Sequence, residues 1–154
     1  MTLNDIQRKQ LILIDYLQNI VNNNTNNEWL VKAEYSTDYD DIRVVTVQEA
    51  QGEKVVFYGN TTPLFNYYMI DIYGLSIQEN KNLSLVIGNL IGESILIDVV
   101  YEDANKNKYN EKWQIIFKQF TNPQAIMYED IRRVGYNATL KCIVNKVAST
   151  LVEE

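Results

Sequence analysis

The chain has 154 residues, of which 46% are hydrophobic, and it carries a formal net charge of −6. This is enough apolar sequence for one core, so we expect a single domain over residues 1–154. The acidic balance argues against a protein that wraps a nucleic-acid backbone, because such proteins need clustered lysine and arginine.

Histidine is absent, and Cys142 is the only cysteine. The chain therefore lacks the residues for Ser-His-Asp or Cys-His catalysis, for an internal disulfide and for zinc sites built from several Cys or His side chains. The sequence predicts no catalytic residue, no metal site and no cofactor. It also predicts no membrane contact, because no apolar run approaches the roughly 20 residues that span a bilayer.

The first predicted element is an amphipathic helix over residues 4–21. Its apolar stripe at helical spacing contains Ile6, Leu13, Leu17, Ile20 and Val21. Leu11 and Ile12 lie off that stripe. Either the helix is buried on more than one side within its own domain, or a neighbouring subunit covers these two side chains.

A sheet is predicted over residues 29–73, although the first segment, 29–35, is ambiguous. The β-branched segments 42–47 and 54–58 predict two strands joined as a hairpin around Gln51 and Gly52. After the proline at position 63, residues 64–73 alternate in the manner of a half-buried strand. Its predicted inward face contains Tyr68, Ile70 and Ile72.

Gly74 ends that strand, and Ser76-Ile77-Gln78-Glu79 has the pattern of a capping box. We therefore predict a helix over residues 77–93. Its apolar face contains Leu83, Val86, Ile87, Leu90 and Ile91. Small residues at 84, 88 and 92 follow the edge of that face, which indicates close packing on a sheet or on a partner.

The rest of the chain, residues 95–147, predicts a long hairpin and a closing strand. The hairpin strands cover residues 95–101 and 112–120 and flank a polar tip at 103–108. The closing strand, 134–147, alternates with Tyr136, Ala138, Leu140, Cys142 and Val144 on one side. The predicted fold is α+β, with a mainly antiparallel or mixed sheet, an N-terminal helix and one central helix packed on it, and a long β-hairpin.

Three polar segments of the sequence are candidate sites. Asp103, Asn105 and Asn107 match the first half of a calcium loop, but Lys108 and Gln114 occupy the positions of its glycine and its bidentate glutamate, which favours a solvated tip. The acidic residues at 38, 40 and 41 are interpreted either as solvated surface or as a divalent-ion site. The mixed-charge segment 128–133 is either a surface turn or a charged contact between copies.

In the order of its elements, the chain resembles the tail terminator proteins of tailed bacteriophages, also described as head–tail joining or minor capsid proteins, including versions from contractile tails and phage-tail-like bacteriocins. The segments that carry the resemblance are the first helix, Val44–Val47, Tyr58–Pro63, the strand Tyr68–Gly74 with the helix that follows it, and the closing strand Tyr136–Val147.

The resemblance implies a structural virion protein of the tail or neck, assembled in the cytoplasm of the bacterial host. It would form a homo-oligomeric, hexameric ring that caps the tail tube, stops its polymerisation and offers a docking surface to the head connector. The implied partners are the tail tube protein, the sheath and a head-completion or connector protein. DNA would pass through the lumen without specific binding.

Contacts between copies or with partners are expected at three places. These are Leu11 and Ile12 on the first helix, Asn105 and Lys106 at the hairpin tip, and Tyr128, Glu129, Asp130, Arg132 and Arg133 in the charged segment. Two alternatives stand beside this hypothesis: another neck, head-closure or baseplate adaptor, and a small metal-dependent enzyme that uses Asp38, Asp40 and Asp41.

Overall fold

The computed structural model describes residues 3–26, 28–36, 42–50, 54–57, 60–63, 65–128 and 133–153. It has the predicted α+β architecture, with helices α1 (Leu3–Asn24) and α2 (Ile77–Gly88). The strands are β1 (Trp29–Lys32), β2 (Arg43–Ala50), β3 (Lys54–Phe57), β4 (Asn60–Pro63), β5 (Asn66–Tyr73), β6 (Ser94–Glu102), β7 (Lys108–Tyr128) and β8 (Arg133–Leu151). Neither helix is long and apolar enough to cross a membrane, within the part of the chain that is described.

Six strands form a mixed sheet in the order β1-β2-β5-β8-β7-β6. β1 runs parallel to β2, and every other neighbouring pair in this sheet is antiparallel. The predicted hairpin between residues 42–47 and 54–58 is wrong, because β2 pairs with β1 and β5, whereas β3 pairs with β4 in a sheet of its own. β5 offers β2 a longer partner, with seven register positions, and at the four positions from Val44 to Val47 the paired residues of both strands are buried.

The core lies between one face of the six-stranded sheet and the two helices. Tyr68, Ile70 and Ile72 of β5 are buried there as predicted, and so are the alternating residues of the closing strand from Ala138 to Val144. The helices contribute Ile12, Leu13, Ile14, Leu17, Val21, Leu83 and Ile87 to the same cluster. The opposite sheet face is also covered beside β2 and β5, where the rings of Tyr35 and Tyr73 lie 4.7 Å apart.

The connection from β5 to α2 is tightly built. Ser76 caps the helix as predicted, its hydroxyl accepting from the Glu79 amide at 3.1 Å. The Glu79 carboxylate does not complete the box in the usual way; it accepts from the Leu75 amide at 2.7 Å and from Arg43 Nε at 2.5 Å. The Gly74 amide donates to Asn80 Oδ1, and a Cβ at Gly74 would overlap that same oxygen, so a larger residue here would force the Asn80 side chain to move.

α2 ends at Gly88, which is earlier than the predicted residue 93. Gly92 has a φ of +91° and donates its amide to the Phe117 carbonyl, while the Phe117 amide donates to the Glu93 carbonyl. This is a bulge with glycine in the left-handed position, and it starts β6. The predicted row of small residues inside one helix is therefore wrong at Gly92, because this glycine belongs to the turn.

β6, β7 and the second half of β8 form a three-stranded section of the sheet, which we call the ribbon. β7 pairs with β8 along most of its length, whereas β5 pairs with β8 only over residues 136–142. The β7–β8 register shifts at three places, and at each place one strand contains an extra residue with no partner opposite it. The extra residues are Val147 on β8, and Lys118 and one residue between Thr121 and Gln124 on β7. Such bulges bend and twist the strands that carry them.

Candidate assembly interface

The outer edge of β1 is covered by a single side chain of α1. Gln18 Nε2 donates to the Trp29 carbonyl at 2.8 Å, and Gln18 Oε1 accepts from the Val31 amide at 2.9 Å. The amide side chain thus pairs with β1 much as a neighbouring strand would. An edge occupied in this way cannot accept another chain.

The opposite edge of the sheet, formed by β6, has no comparable cover. β6 has nine residues, contains neither proline nor lysine, and pairs with β7 alone among the described strands. In an antiparallel pair, residues whose backbone groups bond to the partner strand alternate with residues whose backbone groups point away from it. The hydrogen bond from the Phe117 amide to the Glu93 carbonyl shows that the odd-numbered residues of β6 bond to β7. The backbone groups of Leu96, Asp98 and Val100 therefore point away from the sheet.

The outward face of β6 also carries exposed apolar side chains. Leu96 is 61% exposed and Val100 is 67% exposed. Between them, Asp98 lies 3.9 Å from Lys112 Nζ of β7 in a surface ion pair. Val100 borders a shallow groove whose other lining residues come from all three strands of the ribbon, including Asn110, Ala148 and Thr150.

The inward face of β6 is only partly covered. Ile95, Ile97 and Val99 pack against the core but remain half-buried, in contrast with the fully buried Ile115 and Phe117 of β7. Apolar area at the last strand of the sheet thus stays in contact with water on both faces. Burying it would be favourable by roughly 25 cal/mol per Å².

The ribbon has a second open edge on β8. The Asn66 side chain accepts from the Val144 amide at 3.1 Å and marks the end of the β5–β8 contact. Beyond it, residues 145–151 pair with β7 on one side, and no described strand lies on the other. All of these residues are exposed, among them the apolar Val147 and Leu151.

A buried ionic cluster fastens the ribbon to the start of α1. The Glu111 carboxylate of β7 accepts from Arg8 of α1 and, at 3.2 Å, from Trp113 Nε1, and Lys146 Nζ of β8 lies 3.5 Å away. The Arg8 guanidinium also covers the Tyr101 ring of β6 at 3.7 Å. Arg8 therefore fixes the ribbon to α1 through direct contacts with β7 and β6, and Lys146 joins β8 to the same cluster through Glu111.

The electrostatics of Glu111 fit this structural role. Burial raises the pKa of Glu111, but the hydrogen bonds from Arg8 and Trp113 and the charges of Arg8 and Lys146 outweigh it, so that the pKa lies below its ordinary value. The carboxylate is consequently ionised and fully engaged at neutral pH. It acts as an anchor between elements.

The buried thiol and phenol in the core are not reactive groups. Burial raises the pKa of Cys142 to about 12, with Lys9 opposing the shift, so the thiol is protonated at neutral pH. Burial likewise raises the pKa of Tyr68, with smaller contributions from Cys142 and Glu49. Both side chains serve packing.

Leu11 and Ile12, which were predicted together as contact residues on α1, differ in their exposure. Ile12 is 6% exposed and belongs to the chain's own core, so its side chain is not available to a neighbour. Leu11 is 55% exposed and is available. The first alternative, burial within the domain, therefore applies to Ile12 and not to Leu11.

The hairpin tip is an ordered turn with exposed side chains. Asp103 Oδ1 accepts from the amides of Asn105 and Asn107 at 3.0 and 2.8 Å, and Lys106 has a φ of 64°. The Asp103 carboxylate thus orders the backbone of the turn. Asn105 and Lys106 stand exposed at its end.

The charged segment lies at the other end of β7. Tyr128 is the last residue of β7 and pairs with Arg133, the first of β8, while Glu129, Asp130 and Arg132 lie outside the described residues. The hairpin tip and this segment are separated by a 21-residue strand, or on the order of 60 Å along its path. They would belong to two different contacts.

The proposed divalent-ion site at Asp38, Asp40 and Asp41 also lies outside the described residues. Within the described ranges, no group of three or more Cys, Asp or Glu side chains is arranged to hold a metal ion.

Sequence reasoning missed the two residues that define the β6 surface. Leu96 and Val100 are apolar residues at outward positions of the strand predicted over residues 95–101, but neither was predicted as a contact residue. A strand that carries apolar side chains on both faces is typical of one covered on both sides. That signal pointed to a partner.

Comparison of the chain with protein-family models, with curated proteins and with solved structures gave no match.

Proposed function

We propose that this chain is a structural assembly protein, a phage tail terminator whose copies form a hexameric ring on the head-proximal end of a tail tube. The ring stops tube polymerisation and presents a docking surface to the head connector. The order of the elements supports the choice of a tail terminator. The observation that carries the assembly is the β6 edge, which is long, unpaired among the described strands and has exposed apolar side chains on its outward face.

A ring that joins a tail tube to a head connector needs surfaces for its own copies and further surfaces for its partners. The chain exposes apolar side chains in separate regions. One region is the ribbon, with Leu96 and Val100. The other is the start and outer side of α2, where Leu75, Ile77 and Leu85 are exposed. This distribution supports an assembly in which each copy contacts more than one neighbour or partner.

The charge of the chain supports passage of DNA through such a ring. A net charge of −6 per copy gives six copies an acidic character, and a lumen lined by negative charge repels the phosphate backbone. The genome would then pass through without being retained. The sheath and the head-completion protein would contact the outer surfaces of the ring.

The test is to add the purified chain to tail tube protein as the tube polymerises, and to measure tube lengths by electron microscopy. The proposal expects shorter tubes as the molar ratio of this chain rises, and a ring-shaped density at one tube end. Native mass spectrometry of the chain alone should give a hexamer. Unchanged tube lengths with binding to another neck or baseplate component would instead support the adaptor alternative.

A further inference from the structure

The ribbon has two open edges that lie at the same height. Through β7, Leu96 of β6 is level with Gln114 and with Asn145 of β8, and Tyr101 is level with Tyr109 and with Leu151. Leu96–Tyr101 of β6 therefore match residues 145–151 of β8, which include the extra Val147. A three-stranded sheet with two open edges at the same height can be continued on either side by an identical sheet.

We infer that β6 of one copy pairs in parallel with residues 145–151 of β8 in the next copy, so that the ribbons form one continuous sheet around the assembly. This inference rests on the ring proposed above and names the surfaces that close it. β6 and β8 are both antiparallel to β7, so they run in the same direction within a copy. Neighbouring copies of a hexameric ring differ by a rotation of about 60°, which cannot reverse a strand, so the new pair is parallel and not antiparallel.

The charges of the two edges favour this pairing over one between two β6 strands. β6 carries Asp98 and Glu102 and no basic residue, whereas residues 145–151 carry Lys146 and no acidic residue. Pairing β6 with a second β6 would bring acidic side chains together, which is unfavourable in neighbouring strands. Pairing β6 with β8 avoids that repulsion.

Apolar surface on both edges is available for the same contact. Val100 is exposed on one edge, and Val147 and Leu151 are exposed on the other. A strand added beside β6 would also cover the half-buried inward row of Ile95, Ile97 and Val99. The pairing would thus bury side chains on both faces of the sheet as well as joining backbone groups.

Disulfide trapping tests the contact directly, because the single native cysteine, Cys142, is buried and gives no background. Val100→Cys is co-expressed with a differently tagged chain that carries Thr150→Cys, and the assembly is oxidised. The inference expects a disulfide-linked pair of the two tagged chains, at least tenfold above the yield with Asn110→Cys in place of Thr150→Cys. Asn110 is the matched control, since it is exposed at the same height on the central strand of the ribbon.

The register across the contact is tested by replacing Thr150→Cys with Asn145→Cys or Ala148→Cys, which are exposed along the same edge. A hexamer in native mass spectrometry without trapping at any of the three positions would overturn this inference and leave the ring intact. Trapping of Val100→Cys with itself would overturn it in favour of two β6 strands. A chain that stays monomeric and traps nothing would defeat both this inference and the proposed function.

A second pair of variants does not depend on register. Leu96→Lys combined with Val100→Lys places charges on the β6 edge, a change that blocks strand addition. The inference expects the hexamer to dissociate at a concentration at least 100-fold higher than for the unaltered chain. Leu85→Lys, on the exposed side of α2, should shift it less than threefold. Equal shifts for both variants, or none for the β6 variant, would contradict the inference.

Discussion

The two edges of the six-stranded sheet differ in whether their backbone groups are covered. At β1, a four-residue strand is closed by the Gln18 side chain, which bonds to both a carbonyl and an amide of the strand. At β6, the outer edge of a nine-residue strand is left unpaired within the described chain, and the strand exposes the apolar side chains of Leu96 and Val100. Natural sheets usually block an edge that must not pair. When one edge of a sheet is blocked and the opposite edge is open, the open edge is the candidate binding surface for a partner strand.

Helix α1 connects the two regions. Its Gln18 end covers β1, and its Arg8 end holds the ribbon through the buried Glu111. The same helix therefore closes one edge and fixes the position of the other. The experiments below alter each side of this comparison in turn.

The largest effect is expected at the anchor of the ribbon. Arg8→Ala leaves Glu111 buried with less compensation for its charge, and removing one partner of a buried ion pair costs about 3 kcal/mol of unfolding free energy. Urea denaturation measures this loss. The control is Arg8→Met combined with Glu111→Leu, which removes both charges and should be less destabilised than Arg8→Ala. If Arg8→Ala were instead the more stable of these two variants, the cluster would not be a buried ion pair in solution.

The same anchor should respond to acid. The pKa of Glu111 is lowered in the folded chain, so its stabilising contribution is present above the unfolded pKa of about 4.3 and is lost as the pH falls through the folded pKa. In unfolding experiments from pH 6 to pH 2, Glu111→Gln should therefore lose less stability on acidification than the unaltered chain. Parallel pH profiles would contradict this assignment.

The next effect concerns two glycines that lie in different packing environments. Gly74→Ala places a methyl group 2.3 Å from Asn80 Oδ1 and 3.0 Å from the Trp29 ring of β1, and we expect a loss of about 2 kcal/mol. Gly88 is the matched control, because a Cβ there meets only Phe120, at 3.8 Å. Gly88→Ala should be neutral or stabilise the chain by up to about 1 kcal/mol. Equal losses at both positions would show that the β5–α2 junction is looser than described.

A smaller effect is expected where β1 is closed. Gln18→Ala leaves the Trp29 carbonyl and the Val31 amide without the Gln18 side chain, which should cost about 1–2 kcal/mol. Asn22→Ala removes only the exposed partner of Gln18 and should change stability by less than about 0.5 kcal/mol. Denaturant midpoints for the two variants separate these expectations. A Gln18→Ala chain as stable as Asn22→Ala would mean that the side chain does not close the edge.

Alternation and capping residues were sufficient to predict most of the elements. The inward set Tyr68, Ile70 and Ile72, the Ser76 cap and the closing strand are found where the sequence places them, because each depends on local spacing alone. Strand pairing was not predictable in the same way. β2 has the composition to pair with β3, and the choice of β5 instead depends on the partners available in the folded sheet.

The polar residues that organise the structure were missed for a related reason. Glu111 is in phase with the inward residues Trp113 and Ile115, but the strand was predicted to begin at Lys112, so the charge on the buried side went unnoticed. Asn80 similarly lies on the buried stripe of α2 with Leu83 and Ile87. A polar residue at a buried position is a sequence signal, but its partner is identified only by tertiary contacts.

Amide hydrogen exchange, read residue by residue in dilute and in assembled samples, tests most directly whether β6 is where copies meet. The Val31 amide should be protected in both samples, because Gln18 bonds to it within each chain. The amides of Leu96, Asp98 and Val100 should exchange freely when the chain is dilute and gain at least tenfold protection on assembly. Identical exchange of these three amides in both samples, once assembly is verified by mass, would show that copies do not meet at β6.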